Sequence, residues 1–263
     1  MNLTVVVSYY KALENLKIIL QALNNQSAAN FEVIVSEDDF NEQTVLFLNE
    51  NRTNYKFEIL HLHQTEDHGF RKNKMLNKCL LACRTDYIAF IDGDCIPHTH
   101  FVKEYIRNAE PGYYISGRAV LLGEKTTEAF KRHQNLAKLS FCKLIFTDSE
   151  KIKDGIYSPV LPFSAKSRGL VGRNWGIHKK HLFEINGFDE DYQEAGVGED
   201  TDVEWRLSAN GIKRKSVKNK AIVYHLFHKR GYSDEGVQRN YQKMFAKQKA
   251  NTVKCHNGIE KLK

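Results

Sequence analysis

Asp92-Gly93-Asp94 sets two carboxylates on either side of a glycine. Such a pair can share one hard divalent cation, and the glycine lets a phosphate approach the backbone closely. The same triplet also makes an ordinary turn, with Asp at favoured positions. The apolar run Ile88-Ala89-Phe90-Ile91 just before it shifts the balance, because a buried strand then delivers the acids to the ligand-binding edge of a sheet. A second acidic group, Glu199-Asp200, follows Ala195-Gly196-Val197-Gly198 and precedes a helical pattern over 201–210. Thr201 with Glu204 fits a capping box, and acids near a helix N-terminus suit the helix dipole. Capping explains one or two acids but not the two glycines, which imply a tight backbone placing Glu199 and Asp200 in a cleft. A carboxylate there can take a proton from an acceptor hydroxyl.

The first half of the chain alternates strand and helix signals. Strands are predicted at Leu3–Ser8, Phe31–Val35, Phe57–Leu62 and Tyr87–Ile91. Leu16, Ile19, Leu20 and Leu23 mark one helix face, Thr44–Asn49 a short helix, and Met75, Leu76, Cys79, Leu80 and Cys83 another face. This order implies a mainly parallel sheet with right-handed crossovers. Ligands in such sheets sit beyond the carboxyl ends of the strands, which singles out Ser8–Tyr10, Glu37–Asp39, His68–Asn73 and Asp92–Asp94. In the second half the pattern predicts a strand over Tyr113–Leu122, a long helix over Thr126–Phe146 and a mobile loop over Asp154–Arg168. It then predicts a helix over Thr201–Asn210 ended by Gly211, and a strand over Ala221–Tyr224. From Lys243 the chain reads as a weakly patterned basic tail.

The 263 residues suffice for one large α/β domain, and no linker divides them. A net charge of +7 fits a polyanionic partner: nucleic acid, an anionic membrane or a phosphate-bearing ligand. Five cysteines without a zinc pattern imply reduced thiols and a cytoplasmic protein. Neither a signal peptide nor a run of membrane-spanning length is visible.

Taken in order, these motifs resemble family 2 glycosyltransferases with the GT-A fold. The chain is similar to bacterial polysaccharide and lipooligosaccharide transferases, with echoes of chondroitin polymerase and β-1,4-galactosyltransferase. Val5-Val6-Val7-Ser8-Tyr9-Tyr10 sits at the opening strand, and Val33-Ile34-Val35-Ser36-Glu37-Asp38 at the strand ending in two acids. Gly69-Phe70-Arg71 through Asn77 matches the segment near nucleoside and diphosphate, and Asp92-Gly93-Asp94 the D-x-D motif. Gly172-Arg173-Asn174-Trp175-Gly176 through Lys179 matches the acceptor-side segment. Asn186-Gly187-Phe188-Asp189-Glu190 leads to Gly198-Glu199-Asp200, Arg206-Leu207 and Gly211, the most specific stretch. The usual Pro-Thr-Tyr-Asn opening is Ser8-Tyr9-Tyr10-Lys11 here, and the first base-side acid is Glu37 rather than Asp.

The resemblance implies a single GT-A (Rossmann-like) α/β domain over 1–242, its mixed, mainly parallel sheet flanked by helices. The nucleotide half covers about 1–122, the acceptor half 123–242, and the basic tail 243–263. It implies an inverting, metal-dependent transferase using a nucleotide sugar, a UDP-sugar first, with Mn²⁺ or Mg²⁺ and a glycan or lipid-linked glycan acceptor. Asp200 is then the catalytic base, and Glu199 orients the acceptor or holds the donor sugar. Asp94 is the chief metal ligand, with Asp92 touching ribose or metal-bound water. Ser8, Tyr10, Glu37, Asp38 and Asn77 belong to the nucleotide side, where Arg71 and Lys74 are the cations near the diphosphate. His225, and next His228, follows a strand where family members place a metal-binding histidine. Asn174 and Trp175 form the acceptor surface, Trp175 as a stacking platform. The loop at 154–168 closes over the donor, and the tail either rests on an anionic membrane or is merely solvated.

Two rivals fit less well. A sugar-nucleotide nucleotidyltransferase needs a glycine-rich loop after the first strand, and Tyr9-Tyr10-Lys11-Ala12-Leu13 has no glycine. A nucleic-acid binder leaves the strand-end acids unexplained, and no helix-turn-helix, zinc-finger or RNP pattern occurs. Nucleic acid is therefore not an expected partner.

Overall fold

The computed structural model describes residues 2–160, 169–229 and 231–262. Its first half runs β1 (Leu3–Tyr9), α1 (Leu13–Asn24), β2 (Phe31–Glu37), α2 (Glu42–Asn51), β3 (Glu58–His63), α3 (Lys72–Ala82) and β4 (Tyr87–Asp92). Then follow β5 (Cys95–Pro97), α4 (Phe101–Asn108), β6 (Tyr113–Ser116), β7 (Arg118–Leu121), α5 (Glu124–His133) and the single turn α6 (Phe141–Leu144). The remainder is β8 (Asn174–His178), α7 (Lys179–Glu184), α8 (Thr201–Ala209), β9 (Lys213–Ser216), β10 (Ile222–His225) and α9 (Asp234–Lys249).

A seven-stranded sheet has the order β3-β2-β1-β4-β8-β6-β9, and a small sheet the order β5-β10-β7. The large sheet is parallel except for β8, which runs against both β4 and β6. The expected mixed, mainly parallel sheet flanked by helices is therefore present. Its strands alternate faces as a pleat requires. Val5, Val7, Val33, Val35, Ala89 and Ile91 pack with Leu16, Ile19 and Leu20 of α1. Val6, Ile34, Ile88 and Phe90 pack on the other side with Leu76 and Leu80 of α3. This double burial is why β1, β2 and β4 read as continuous apolar runs. Register pairs Ser8 with both Ser36 and Asp92, so the strand ends converge on one edge.

Several expectations change. The strand over Tyr113–Leu122 is two strands in different sheets. They part at Gly117, where an added Cβ would lie 2.3 Å from the Asn174 side chain. The long helix over Thr126–Phe146 stops at Gln134, which turns left-handed at φ 46°. Residues 161–168 of the expected mobile loop lie outside the described residues, and Ile152–Gly155 before them form a short 3₁₀ turn. The cap of α8 is Asp200 rather than Thr201, since Thr201 N–H donates to Asp200 Oδ1 at 2.5 Å. Glu204 instead accepts from Tyr114 Oη at 2.6 Å and Leu170 N at 2.9 Å. The boundary drawn at 243 falls inside α9. The end of the chain folds back, with Asn186 Nδ2 donating to the carbonyls of Cys255 and Glu260, both at 2.7 Å.

That fold-back surrounds a buried cation. Arg206 is fully buried, its Nε 2.7 Å from Asp202 Oδ2 and its Nη1 donating to the carbonyls of Ile185 and Gly187. The guanidinium thus ties α8 to the turn that ends α7. Removing one partner strands the other charge in the core. Arg206→Ala is expected to cost about 3–5 kcal/mol. Urea unfolding checks this as a lowered midpoint at unchanged slope.

Candidate active site

β4 ends at Asp92, and its extension carries Asp94 into β5. β5 pairs antiparallel with β10, Cys95 opposite His225 and Ile96 opposite Tyr224. Leu226 N–H donates to the Asp94 carbonyl at 2.8 Å, locking the turn after β10 to the acid. Asp94 Oδ2 then lies 2.9 Å from His228 Nε2 and 3.4 Å from His225 Nε2. Ligand atoms of these three residues all lie within 4.8 Å of one another. Neighbouring ligands bound at about 2.1 Å around one cation sit about 3 Å apart. One carboxylate with two imidazoles suits a transition ion such as Mn²⁺ better than Mg²⁺. The residues therefore fit a divalent metal.

Burial pushes the Asp94 carboxyl up, but the His228 contact and the two imidazoles outweigh it and hold it below its ordinary value. Burial lowers His225. The Asp94 contact lifts His228 to about 9.

Two chambers meet at this trio. The first, 540 Å³, is lined by Ser8, Tyr10, Asp38, Gly69, Phe70 and Gly93 among others. The second, 400 Å³, is lined by Gly172, Arg173, Glu199, Asp200, His225 and Tyr232 among others. Lys72, Asp92, Asp94 and His228 border both. Both volumes fall in the range of small-ligand pockets. A Cβ on Gly93 would stand 2.8 Å from the Ser8 carbonyl, so only glycine lets the two strand ends sit this close.

Asp38 accepts from Gln64 Nε2 at 2.7 Å and Arg71 N at 2.8 Å. Burial pushes it up to about 6. Burial likewise raises Asp200 and Glu199. Asp200 spends Oδ1 on the cap of α8 and turns Oδ2 toward Gly172 N, 3.4 Å away. Glu199 accepts from Gly196 N at 3.2 Å through Oε1, while among the described residues buried Oε2 has no hydrogen-bond partner. An orphaned buried acceptor of this kind suits a ligand hydroxyl.

Other expected residues stand elsewhere. Trp175 is 1% exposed and stacks on Phe90 with ring centroids 4.6 Å apart, so it is core and offers no sugar platform. Asn174 is buried, donating to the carbonyls of Arg118 and Ala221 and accepting from Tyr105 Oη. It pins the two sheets together and does not face an acceptor. Glu37 is fully buried against His61, 2.7 Å away, and does not border the first chamber. Asn77 Nδ2 donates to the Phe188 carbonyl and to Glu190 Oε1, and so holds a turn rather than a nucleotide. The Arg71 guanidinium bonds its neighbour's carbonyl, and Lys74 is exposed and borders neither chamber.

Sequence reasoning missed Lys72. Its Nζ is 2.7 Å from Asp92 Oδ1, and it interacts electrostatically with Glu199 and Asp200. Burial alone would lower this ammonium, but the acids hold it charged. Its position at the start of α3, one residue after Arg71, was the available signal. Arg173, a bystander in its motif, borders the second chamber.

The model of the Glycosyl transferase family 2 family matches residues 4–175. The chain belongs to that family. A second model, the N-terminal domain of galactosyltransferase, matches residues 157–229. The chain thus carries a family 2 glycosyltransferase domain with a GT-A fold. It is 26% identical over 249 residues to a chondroitin synthase of Escherichia coli, covering 85% of this chain and 34% of that protein. It thus spans about a third of that relative's length. A mannosyltransferase of Pyrobaculum calidifontis, solved with GDP-Man and Mn²⁺, is similar in structure at TM-score 0.63 and 15% identity. That likeness covers 96% of this chain and 67% of the other. S. aureus TarS 1–349 with UDP-GlcNAc is similar at TM-score 0.61 and 13% identity, covering 94% and 66%. At such identities the likeness is one of fold alone.

Lys72 opposes the burial that raises Glu199 and Asp200. Any turnover that uses one of these carboxylates as a base falls as pH drops through its raised pKa. Lys72→Met should move the acid limb of the pH–rate profile upward by about one pH unit. An unmoved limb would show that the ammonium does not govern these acids.

Proposed function

We propose that the chain transfers a sugar from a nucleotide-sugar donor, a UDP-sugar first, to a glycan hydroxyl with inversion, in surface polysaccharide or lipooligosaccharide synthesis. The observation that carries this reading is the shared wall: Asp94 and Asp200 border one 400 Å³ chamber whose neighbour opens to the strand ends. Solved relatives in fold carry UDP-GlcNAc, GDP-Man with Mn²⁺, or UDP with GalNAc and Mn²⁺. Those complexes support a nucleotide sugar and a divalent ion here.

Nucleoside fits the 540 Å³ chamber, with Asp38 and Tyr10 on its wall. Asp94, His225 and His228 would hold a divalent ion, which would supply positive charge toward the departing diphosphate. Lys72 adds a fixed positive charge where both chambers meet. In the second chamber Asp200 takes the acceptor proton as the acceptor oxygen bonds to the anomeric carbon. The bond from that carbon to the phosphate oxygen breaks, and its electron pair leaves with the nucleoside diphosphate. A single displacement from the opposite face inverts the centre. Glu199 Oε2 accepts from a sugar hydroxyl. We place the reaction in the cytoplasm, where the free thiols Cys79, Cys83, Cys95, Cys142 and Cys255 stay reduced.

Asn caps a helix about as well as Asp, so Asp200→Asn keeps α8 while deleting the base. Transfer should fall by about a hundredfold to ten-thousandfold. UDP affinity in Mn²⁺, measured by calorimetry, should stay within about twofold. A panel of nucleotide sugars, scored for Mn²⁺-dependent hydrolysis, identifies the donor. Unimpaired turnover by Asp200→Asn would remove it as the base.

A further inference from the structure

Between β7 and β8 the helices border an apolar groove whose floor is the edge of a buried cluster. Phe130, Leu139 and Leu144 border a 640 Å³ groove, larger than the nucleotide chamber. Phe146, 88% exposed, stands at its edge, and Ile145 beside it is 46% exposed. Together with the groove they adjoin, these two side chains extend one apolar surface, the kind of feature that marks an interaction site.

The groove is also cationic. Lys125, Lys138 and Lys143 border it. Among the described residues Lys125 and Lys138 form no ion pair, and Lys143 Nζ donates only to the Ala137 carbonyl at 3.1 Å. Residues 124–153 hold seven Lys and Arg against four Asp and Glu, a surplus of three. One of the four acids, Asp148, is committed to the first turn of α5, accepting from Lys125 N at 2.9 Å and Thr126 Oγ1 at 2.5 Å. An apolar trough rimmed by ammonium groups that no carboxylate among the described residues neutralises complements a ligand with an alkyl chain and a phosphate.

The groove also leads to the site. Asp148 borders both it and a 380 Å³ chamber lined by Glu124, Glu150, Arg173, His225 and His228. That chamber shares Arg173, His225 and His228 with the one holding Asp200. Along this path the lining passes from apolar and cationic to carboxylate-rich and then to the base. Carboxylates suit sugar hydroxyls as hydrogen-bond donors. The order matches an amphiphile with its sugar end at Asp200.

We propose that the groove holds the lipid anchor, alkyl chain and phosphate, of a lipid-linked acceptor. This rests on reading the Asp200 chamber as the acceptor site. Binding energy then comes from a part of the acceptor that does not react.

Decyl phosphate, kept below its micelle concentration, is the probe, with UDP in Mn²⁺ titrated in parallel. One equivalent should bind the wild type, and decanol or inorganic phosphate should bind far more weakly. Removing a nearby positive charge costs roughly fivefold, so Lys138→Gln/Lys143→Gln should weaken decyl phosphate about 25-fold. Phe146→Ser should weaken it as well, and UDP affinity should not change in either variant. Equal decyl phosphate affinity in wild type and variants overturns the inference. So does capture of the wild type by phosphatidylglycerol vesicles without decyl phosphate binding, which makes the bilayer the partner. A dimer that Phe146→Ser dissolves, with no decyl phosphate binding, would make the occupant a second copy. Loss of alkyl phosphate binding with UDP intact strikes this inference alone, whereas absent UDP binding in the wild type strikes the proposed donor reading.

Discussion

One carboxylate set against two imidazoles organises this molecule. Asp94 and His225 are separated by about half of the chain, yet β5 and β10 pair so that their side chains meet. The carbonyl of Asp94 is held by Leu226 N–H, which also fixes the approach of His228. Backbone hydrogen bonds thus supply the position, and the side chains supply the charge. Without the small sheet Asp94, beyond the end of β4, would lack both imidazoles. With it, three ligand atoms converge where the two chambers meet.

Burial then sets the chemistry of the neighbouring acids. Asp200 and Glu199 sit in a wall that disfavours their charged forms. Lys72 works against that burial from across the chamber while binding Asp92. A base must be unprotonated yet not too weak, and opposed burial and charge are a means to that balance. The cap of α8 adds direction, because Asp200 is oriented by Thr201 N–H rather than free to rotate.

The sequence made the parallel half legible because double burial leaves no ambiguity in Val5–Val7, Val33–Val35 and Ile88–Ile91. The strand-end acids were legible for the same reason, as the topology forces them to one edge. Trp175 misled because an aromatic in an acceptor motif looks alike in a platform and in a core. Only the antiparallel β8, which stacks it on Phe90, distinguishes them. Lys72 and Lys74 differ by two positions along α3, about 200° around a helix. That rotation separates a chamber wall from solvent, and composition does not record it. Gly117 looked like the interior of one strand, since the crossing from one sheet to the other depends on Asn174, far away in sequence. The tail read as weakly patterned because its few apolar anchors, such as Met244 and Ile259, are widely spaced and many of its contacts are polar, involving Asn186, Asn257 and Lys247.

The central claim is that the Asp94 trio and Asp200 serve one reaction. Crystals grown with Mn²⁺ and UDP, measured at a wavelength where manganese scatters anomalously, address it directly. The account predicts one anomalous peak bonded to Asp94 and at least one of His225 and His228, with the diphosphate beside it and Asp200 facing the same chamber. A peak away from that trio, or a diphosphate bound outside the chamber bordered by Ser8, Asp38 and Gly93, would contradict it.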